Sequence, residues 1–331
     1  MLDQTAFDLR KYLRRNSASF TVWVALLALI TFGLLRYDNF GGAYNISSFL
    51  NYNAMFIAIA LGMCFVIMTG GIDLSVGSVA AFTSVVAAYL SPYGLEVAIP
   101  GAVAAGVGFG AINAFCIIVL NIPPFIATLA TMLGAKGGAL VISGAQTISV
   151  DWGSNFTKLG MGQAFGLPWA IYIVIALTLA LWVVLEKTTI GRTVLAIGGS
   201  EDASTLMGLK VNRAKAFAYM LSGGCAGLAG LFLASGFGAG QPLEGIGWEL
   251  SAIASVVVGG TLLTGGMGSI PATVAGALLL GLVFNVLNFE NGQGTISFSA
   301  YWQMVIRGGF LFLVILLQAR VIARHQKGFG A

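Results

Sequence analysis

The sequence predicts an all-α polytopic membrane protein of about ten transmembrane helices with both termini cytoplasmic, and three observations carry that prediction. Of the 331 residues, 58% are hydrophobic and only 8% charged, where a soluble domain carries roughly 25% charged residues. Residues 97–135 and 250–289 are uncharged throughout, long enough for helices of about 20 apolar residues and too continuous for barrel strands of about 9–11 residues with alternating polarity. The charges that do occur are concentrated: eight of them fall within residues 186–215, EKTTIGRTVLAIGGSEDASTLMGLKVNRAK, between strongly apolar stretches.

Polar interruptions divide the chain into segments at roughly 18–35, 53–70, 75–91, 97–119, 124–143, 166–185, 215–236, 250–264, 270–288 and 301–319. The first follows Arg10, Lys11, Arg14 and Arg15 and lacks a small-residue cleavage site, so it reads as a retained span rather than a signal peptide. Several segments are short for a full crossing and read as half-helices buried in protein. An even number places both ends on one side. Twelve basic residues then gather there: the N-terminal four, Lys187, Arg192, Lys210, Arg213, Lys215, Arg320, Arg324 and Lys327. Arg36 and Lys158 fall opposite, Lys136 and Arg307 within segments, and Asp38, Glu96, Asp151, Glu244, Glu249 and Glu290 on the outer side. Basic excess marks the cytoplasm. The chain is therefore one transmembrane domain, 1–331, with a cytoplasmic loop at about 186–215 and an external loop at about 144–165. The external loop suits a partner contact or a plain connector.

Among 46 glycines, Gly223, Gly227 and Gly230 recur at helical spacing, as close helix packing in lipid requires. Cys64, Cys116 and Cys225 are far apart in apolar sequence and read as small buried hydrophobes. No phosphate loop, hydrolase elbow or metal-ligand spacing is present, and Gly106, Gly108 and Gly110 lie inside apolar helix rather than in a nucleotide cradle. The single histidine, His325, belongs to the basic tail. The net charge of +4 sorts by membrane side and does not call for nucleic acid.

Asp73, in GGIDLSVG at 70–77, is an acid in apolar surroundings. An Asp at mid-bilayer costs about 2.5–3.5 kcal/mol. Either it caps the helix that follows the break at Gly70 and Gly71, or it stands with Ser75 on a substrate or proton path. In the charged loop, Ser200 is placed to cap a short helix, Glu201 and Asp202 suit its first turn, and Gly208 suits its end. Ala203, Leu206 and Met207 then share one apolar face, a knob for a partner's groove. Glu249 and Ser251 open the glycine-interrupted stretch 247–281 at the outer surface. Asn113, Asn285, Asn288 and Gln303 suit contacts with helices or with a polar solute.

At GGIDLSVG, T-x-x-G-R at 188–192, A-I-G-G at 196–199, Met207-Gly208, Glu249-Leu250 with 252–254, and V-V-x-G-G-T at 257–261 before GGMG, the chain resembles the permease subunits of ribose-type sugar ABC importers, over roughly residues 45–317. The resemblance implies a second permease subunit, identical or related, two cytoplasmic ATP-binding subunits and an external sugar-binding protein. It implies no cofactor in this chain, with ATP and Mg held by the ATPase subunits, and hence no enzyme activity of its own. Gly191, Arg192 and 200–208 correspond to the ATPase-coupling loop. Ser200 replaces the family's Asn, and Ser251 replaces an Asp near the outer mouth. Leu206-Met207-Gly208 and N-F-E-N-G at 288–292 resemble a galactofuranose importer permease most. Within transport, a branched-chain amino acid or nucleoside permease is the alternative, and a secondary transporter using Asp73 for protons is another.

Overall fold

In a computed structural model of the chain, residues 17–293 are described, together with 302, 305, 306, 308, 309, 312 and 316 of a later helical stretch. The N-terminal basic cluster, His325, Gln303, Arg307 and most of the predicted 301–319 segment lie outside the described residues. The helices are α1 (Ser17–Arg36), α2 (Ala43–Met68), α3 (Val76–Leu90), α4 (Leu95–Ile118), α5 (Pro124–Ser143), α6 (Lys158–Met161), α7 (Trp169–Lys187), α8 (Thr189–Gly199), α9 (Glu201–Leu206), α10 (Val211–Phe237), α11 (Trp248–Val258) and α12 (Ile270–Gln293). Two-residue antiparallel ladders pair β1 (Ile148–Ser149) with β4 (Ala239–Gly240) and β2 (Gln163–Ala164) with β3 (Leu167–Pro168). Among the described residues, seven helices are long and apolar enough to cross a membrane: α2, α3 with the 3-10 turn after it, α4, α5, α7, α10 and α12.

α2 and α10 run antiparallel through the centre and are the most enclosed helices. Small residues let α10 approach its neighbours. A Cβ on Gly223 would strike the Gly106 carbonyl of α4, one on Gly227 the Ala102 carbonyl (2.5 Å), and one on Gly230 the Ala80 carbonyl of α3. That is the packing expected where helices associate by van der Waals contact in lipid.

Two boundaries differ most from the sequence reading. α2 begins ten residues before 53, because Asn45, Asn51 and Asn53 are accommodated inside the helix by bonding within the protein. Asn51 donates to the Gly160 carbonyl (2.7 Å), Asn53 to the Phe49 carbonyl (2.8 Å), and Asn45 exchanges bonds with Asn285 of α12. α11 ends at Val258, short of 264, where Gly259 and then Gly260 at φ +87° stop it.

Two helices, α3 and α11, begin inside the bundle. After Met68 the chain turns back, Asp73 reaches Ser222 of α10, and α3 starts at Val76. From the opposite end, the chain after Gly238 descends along α3. Gly240 lies against Ser84 and Val85, Gly245 meets Gly77, and the Trp248 ring packs on Phe56, the midpoint of α2, at 5.0 Å. At about 1.5 Å per residue α11 covers roughly half of the hydrocarbon thickness. Thus two helices, α3 and the shorter α11, entered from opposite ends, start side by side in mid-bundle. The flanking helices repeat in order and length: α2, α3 and α4 have 26, 15 and 24 residues, and α10, α11 and α12 have 27, 11 and 24. Opposed repeats with broken helices at the midplane characterise transport folds. Glu249, expected at the outer surface, is therefore corrected to mid-bundle, because its polar approach, residues 241–247, is a re-entrant segment.

Candidate functional site

The charged loop forms a projecting elbow. The Thr188 hydroxyl accepts from the Gly191 N–H (3.2 Å) and caps α8; the Ser200 hydroxyl accepts from the Ala203 N–H (3.2 Å) and caps α9. Gly208, at φ +77°, closes the turn after Met207. A six-residue helix is marginal in water. Here it is also tied down by Lys215 of α10, whose Nζ donates to both Glu201 carboxylate oxygens at 2.6 Å. Glu201 thus faces the bundle while Asp202 and Arg192 stay exposed. The tip is apolar: Leu206 is 89% and Met207 78% exposed, with Ala203 also exposed. Behind the tip, α8 wedges against the bundle. A Cβ on Gly198 would strike the Gly266 nitrogen and the Met68 carbonyl oxygen, which are themselves hydrogen-bonded at 3.0 Å. Gly191 fits equally closely over the Leu185 backbone. Motion of the elbow would therefore bear directly on α2 and on the loop leading into α12.

Asp73, Ser75 and Asn113 come together in a second cluster, fully enclosed. Asp73 Oδ1 accepts from the Ser75 N–H (3.0 Å) and hydroxyl (2.6 Å), Oδ2 accepts from the Ser222 hydroxyl (2.8 Å), and Asn113 donates to the Ser75 oxygen (3.0 Å). The capping expectation is corrected here. Ser75, not Asp73, is the residue preceding α3, and it makes no side-chain cap bond. Asp73 lies two positions earlier, so its carboxylate fastens the break between α2 and α3 to α10 instead. Ser222, and Tyr219, whose buried hydroxyl lies against Gly71, were missed by sequence reasoning, since nothing local marks them. The Lys215, Tyr219, Ser222 spacing along one face of α10 was the available signal.

Ser251 and Asn285 belong to a third place, toward the end of the bundle opposite the elbow. They line a cavity of about 350 Å³ with Ser48, Phe49, Tyr52, Asn53, Phe56, Phe284 and Asn288. Its walls combine aromatic faces with neutral amides and hydroxyls, and among the described residues no charged side chain lines it. Asn285 is held by its exchange with Asn45, and Ser251 donates to the Gly247 carbonyl (3.2 Å). Glu249 stands apart from both groups, its Oε2 close to Gly77 at the start of α3. The six path candidates therefore fall into an enclosed structural cluster, an open cavity and one mid-bundle acid.

A spanning helical bundle with broken helices at its centre, polar space toward one end and an apolar elbow at the other defines a membrane transport subunit. Residues 45–315 match the family described as branched-chain amino acid transport system / permease component. The chain is 37% identical over 301 residues to the ribose import permease protein RbsC of Escherichia coli K12, covering 89% of this chain and 91% of that protein. It is 36% identical over 324 residues to the L-arabinose transport system permease protein AraH of the same strain (95% and 94%), and 38% identical over 310 residues to its inner membrane ABC transporter permease protein YjfF (90% and 90%). No solved structure matches it. The chain belongs to this permease family. It is the membrane permease component of an ABC importer and not itself an enzyme.

Proposed function

We propose that this chain forms the translocation path of a bacterial inner-membrane sugar importer. It has ten spans, both termini in the cytoplasm and the α8–α9 elbow on the cytoplasmic face. The elbow carries the reading: its exposed Leu206 and Met207, on a helix capped by Ser200 and tied to α10, form a knob that has no purpose without a partner's groove. That partner is the ATP-binding subunit, which supplies ATP and Mg. The five basic residues Lys187, Arg192, Lys210, Arg213 and Lys215 around the elbow support the orientation. A second permease subunit and an external sugar-binding protein complete the system.

The substrate class is a neutral monosaccharide. Two of the relatives are named for ribose and L-arabinose, and the opposite-end cavity offers aromatic faces with amides and hydroxyls and, among the described residues, no charge to meet an amino acid's ends. Galactofuranose is the particular sugar favoured by the wording at 206–208 and 288–292. Uptake in right-side-out membrane vesicles holding the full system tests the function: transport needs internal ATP and survives a protonophore. Uptake without ATP that collapses with a protonophore would establish a proton-coupled carrier instead. Competition among galactofuranose, ribose, L-arabinose and leucine for the external binding protein then identifies the solute class.

A further inference from the structure

Among the described residues, two buried side-chain polar atoms lack a hydrogen-bond partner, Asn113 Oδ1 and Tyr219 Oη. Asn113 still bonds to Ser75 through its amide nitrogen, whereas a tyrosine has no second polar atom to use. An orphaned buried hydroxyl is costly and marks a place where a partner belongs. Tyr219 is 1% exposed, and its hydroxyl lies against Gly71, in the turn between α2 and α3, where a Cβ would strike it.

Tyr219 and Gly71 both line a cavity of about 330 Å³ at the elbow end of the bundle. Small-molecule sites typically have volumes of about 300–1,000 Å³. Thr69, Asn121 of the α4–α5 turn, Glu201 and Lys215 also line it, and it shares no residue with the opposite-end cavity. The Thr69 hydroxyl donates to the Val66 carbonyl (2.7 Å), and its oxygen can accept in turn. Asn121, held exposed at φ +52°, carries both an amide donor and an acceptor. Lys215 and Glu201 cancel each other's charge across 2.6 Å. The lining therefore offers hydroxyls, an amide and no net charge, which suits a neutral molecule carrying several hydroxyl groups.

The origin of the walls indicates what filling would do. α9 supplies Glu201, α10 supplies Lys215 and Tyr219, and the two turns supply the rest of the polar groups. A ligand shifts an equilibrium only by binding one arrangement better than the other. Moving α9 away from α10 would part Glu201 from Lys215 and open the cavity, so an occupant favours the docked elbow.

We propose that this cavity is a regulatory site for a neutral polyhydroxyl molecule of monosaccharide size, filled from the cytoplasm as imported sugar accumulates. Its occupant bonds to the Tyr219 hydroxyl, holds α9 against α10 and slows ATP-driven turnover. This rests on the reading of the chain as a sugar-importer subunit with the elbow in the cytoplasm.

Inside-out vesicles test it. They hold the full system with sugar-loaded binding protein sealed inside, and the exposed cytoplasmic face receives ribose, L-arabinose or galactofuranose, with leucine as the control. Added sugar should lower the stimulated ATPase rate, and leucine should not. Tyr219→Phe keeps the ring and removes a hydroxyl that has no partner, so the bundle should stay folded and the rate without added sugar should stay near wild type. The half-inhibiting sugar concentration should rise at least about tenfold in that variant, the effect of one lost hydrogen bond. No inhibition by any of the three sugars, or equal inhibition of wild type and Tyr219→Phe, overturns the proposal. Loss of the rate without added sugar in a folded Tyr219→Phe complex also overturns it, since that assigns the hydroxyl to turnover itself. Binding of each radiolabelled sugar to the complex without binding protein gives a readout free of transport, and it should weaken at least about tenfold in Tyr219→Phe. Wild-type vesicles that show this Tyr219-dependent binding but no ATP-dependent sugar movement would overturn the importer reading alone.

Discussion

Truncating Asp73 separates a fastening role from a transport role. Asp73→Ala leaves three buried donors without their acceptor: the Ser75 N–H, the Ser75 hydroxyl and the Ser222 hydroxyl. Each orphaned donor costs about 1–3 kcal/mol. The hydroxyls can turn toward helix carbonyls, whereas the N–H is fixed, and loss of the enclosed carboxylate itself relieves some desolvation. The net loss is therefore about 2–4 kcal/mol. Asp73→Asn keeps an oxygen for both Ser75 donors and offers an amide N–H to the Ser222 oxygen, so its loss is below about 1 kcal/mol. Unfolding midpoints in mixed detergent micelles measure both variants, with vesicle uptake read in parallel. Asp73→Ala within about 0.5 kcal/mol of wild type, or Asp73→Asn as unstable as Asp73→Ala, would refute the fastening role. Loss of all uptake in a normally stable Asp73→Asn protein would assign Asp73 to the transport step instead.

Two further outcomes follow from packing and charge. Gly230→Val should lose at least about 2 kcal/mol and accumulate poorly in the membrane, because even its Cβ collides with the Ala80 carbonyl and the Thr83 hydroxyl; normal accumulation and thermal stability would contradict the α3–α10 contact. Tyr37, beyond the end of α1, donates to Glu290 Oε1 at 2.6 Å, and burial, then the Glu290 bond and charge, push its pKa up to about 12. With the folded value above the ordinary 10.0, its contribution to stability is complete below pH 10 and is lost as pH rises toward 12. Spectrophotometric titration of wild type against Tyr37→Phe should show that late step and its disappearance; identical curves would contradict it.

What could be read from sequence was what local chemistry determines. The elbow was legible because a cap, its acidic first turn and its terminating glycine sit within nine residues, and α5 because Pro124 and Gly144 mark its ends. Ten residues at the start of α2 were hidden by Asn45, Asn51 and Asn53, whose partners lie on Asn285, Gly160 and the helix's own Phe49 carbonyl. The segment 241–247 looked like an external loop because QPLEGIG is as polar as one. Only the meeting of Gly245 with Gly77, 168 positions away, shows it entering the bundle. The same long-range approach places Glu249 beside Gly77 at the start of α3, a relation that no spacing within either helix encodes.

In the proposed function, the membrane subunit receives its energy through α9. Met207→Asp places a charge on the exposed knob without touching the Ser200 cap or the Glu201–Lys215 pair, so the bundle should stay folded. The measurement is ATP hydrolysis by the reconstituted complex, with and without sugar-loaded binding protein. The expected result is loss of the stimulated rate, with weaker copurification of the ATP-binding subunits and an unchanged melting temperature of the permease. Full stimulation and full copurification in a folded Met207→Asp complex would contradict it.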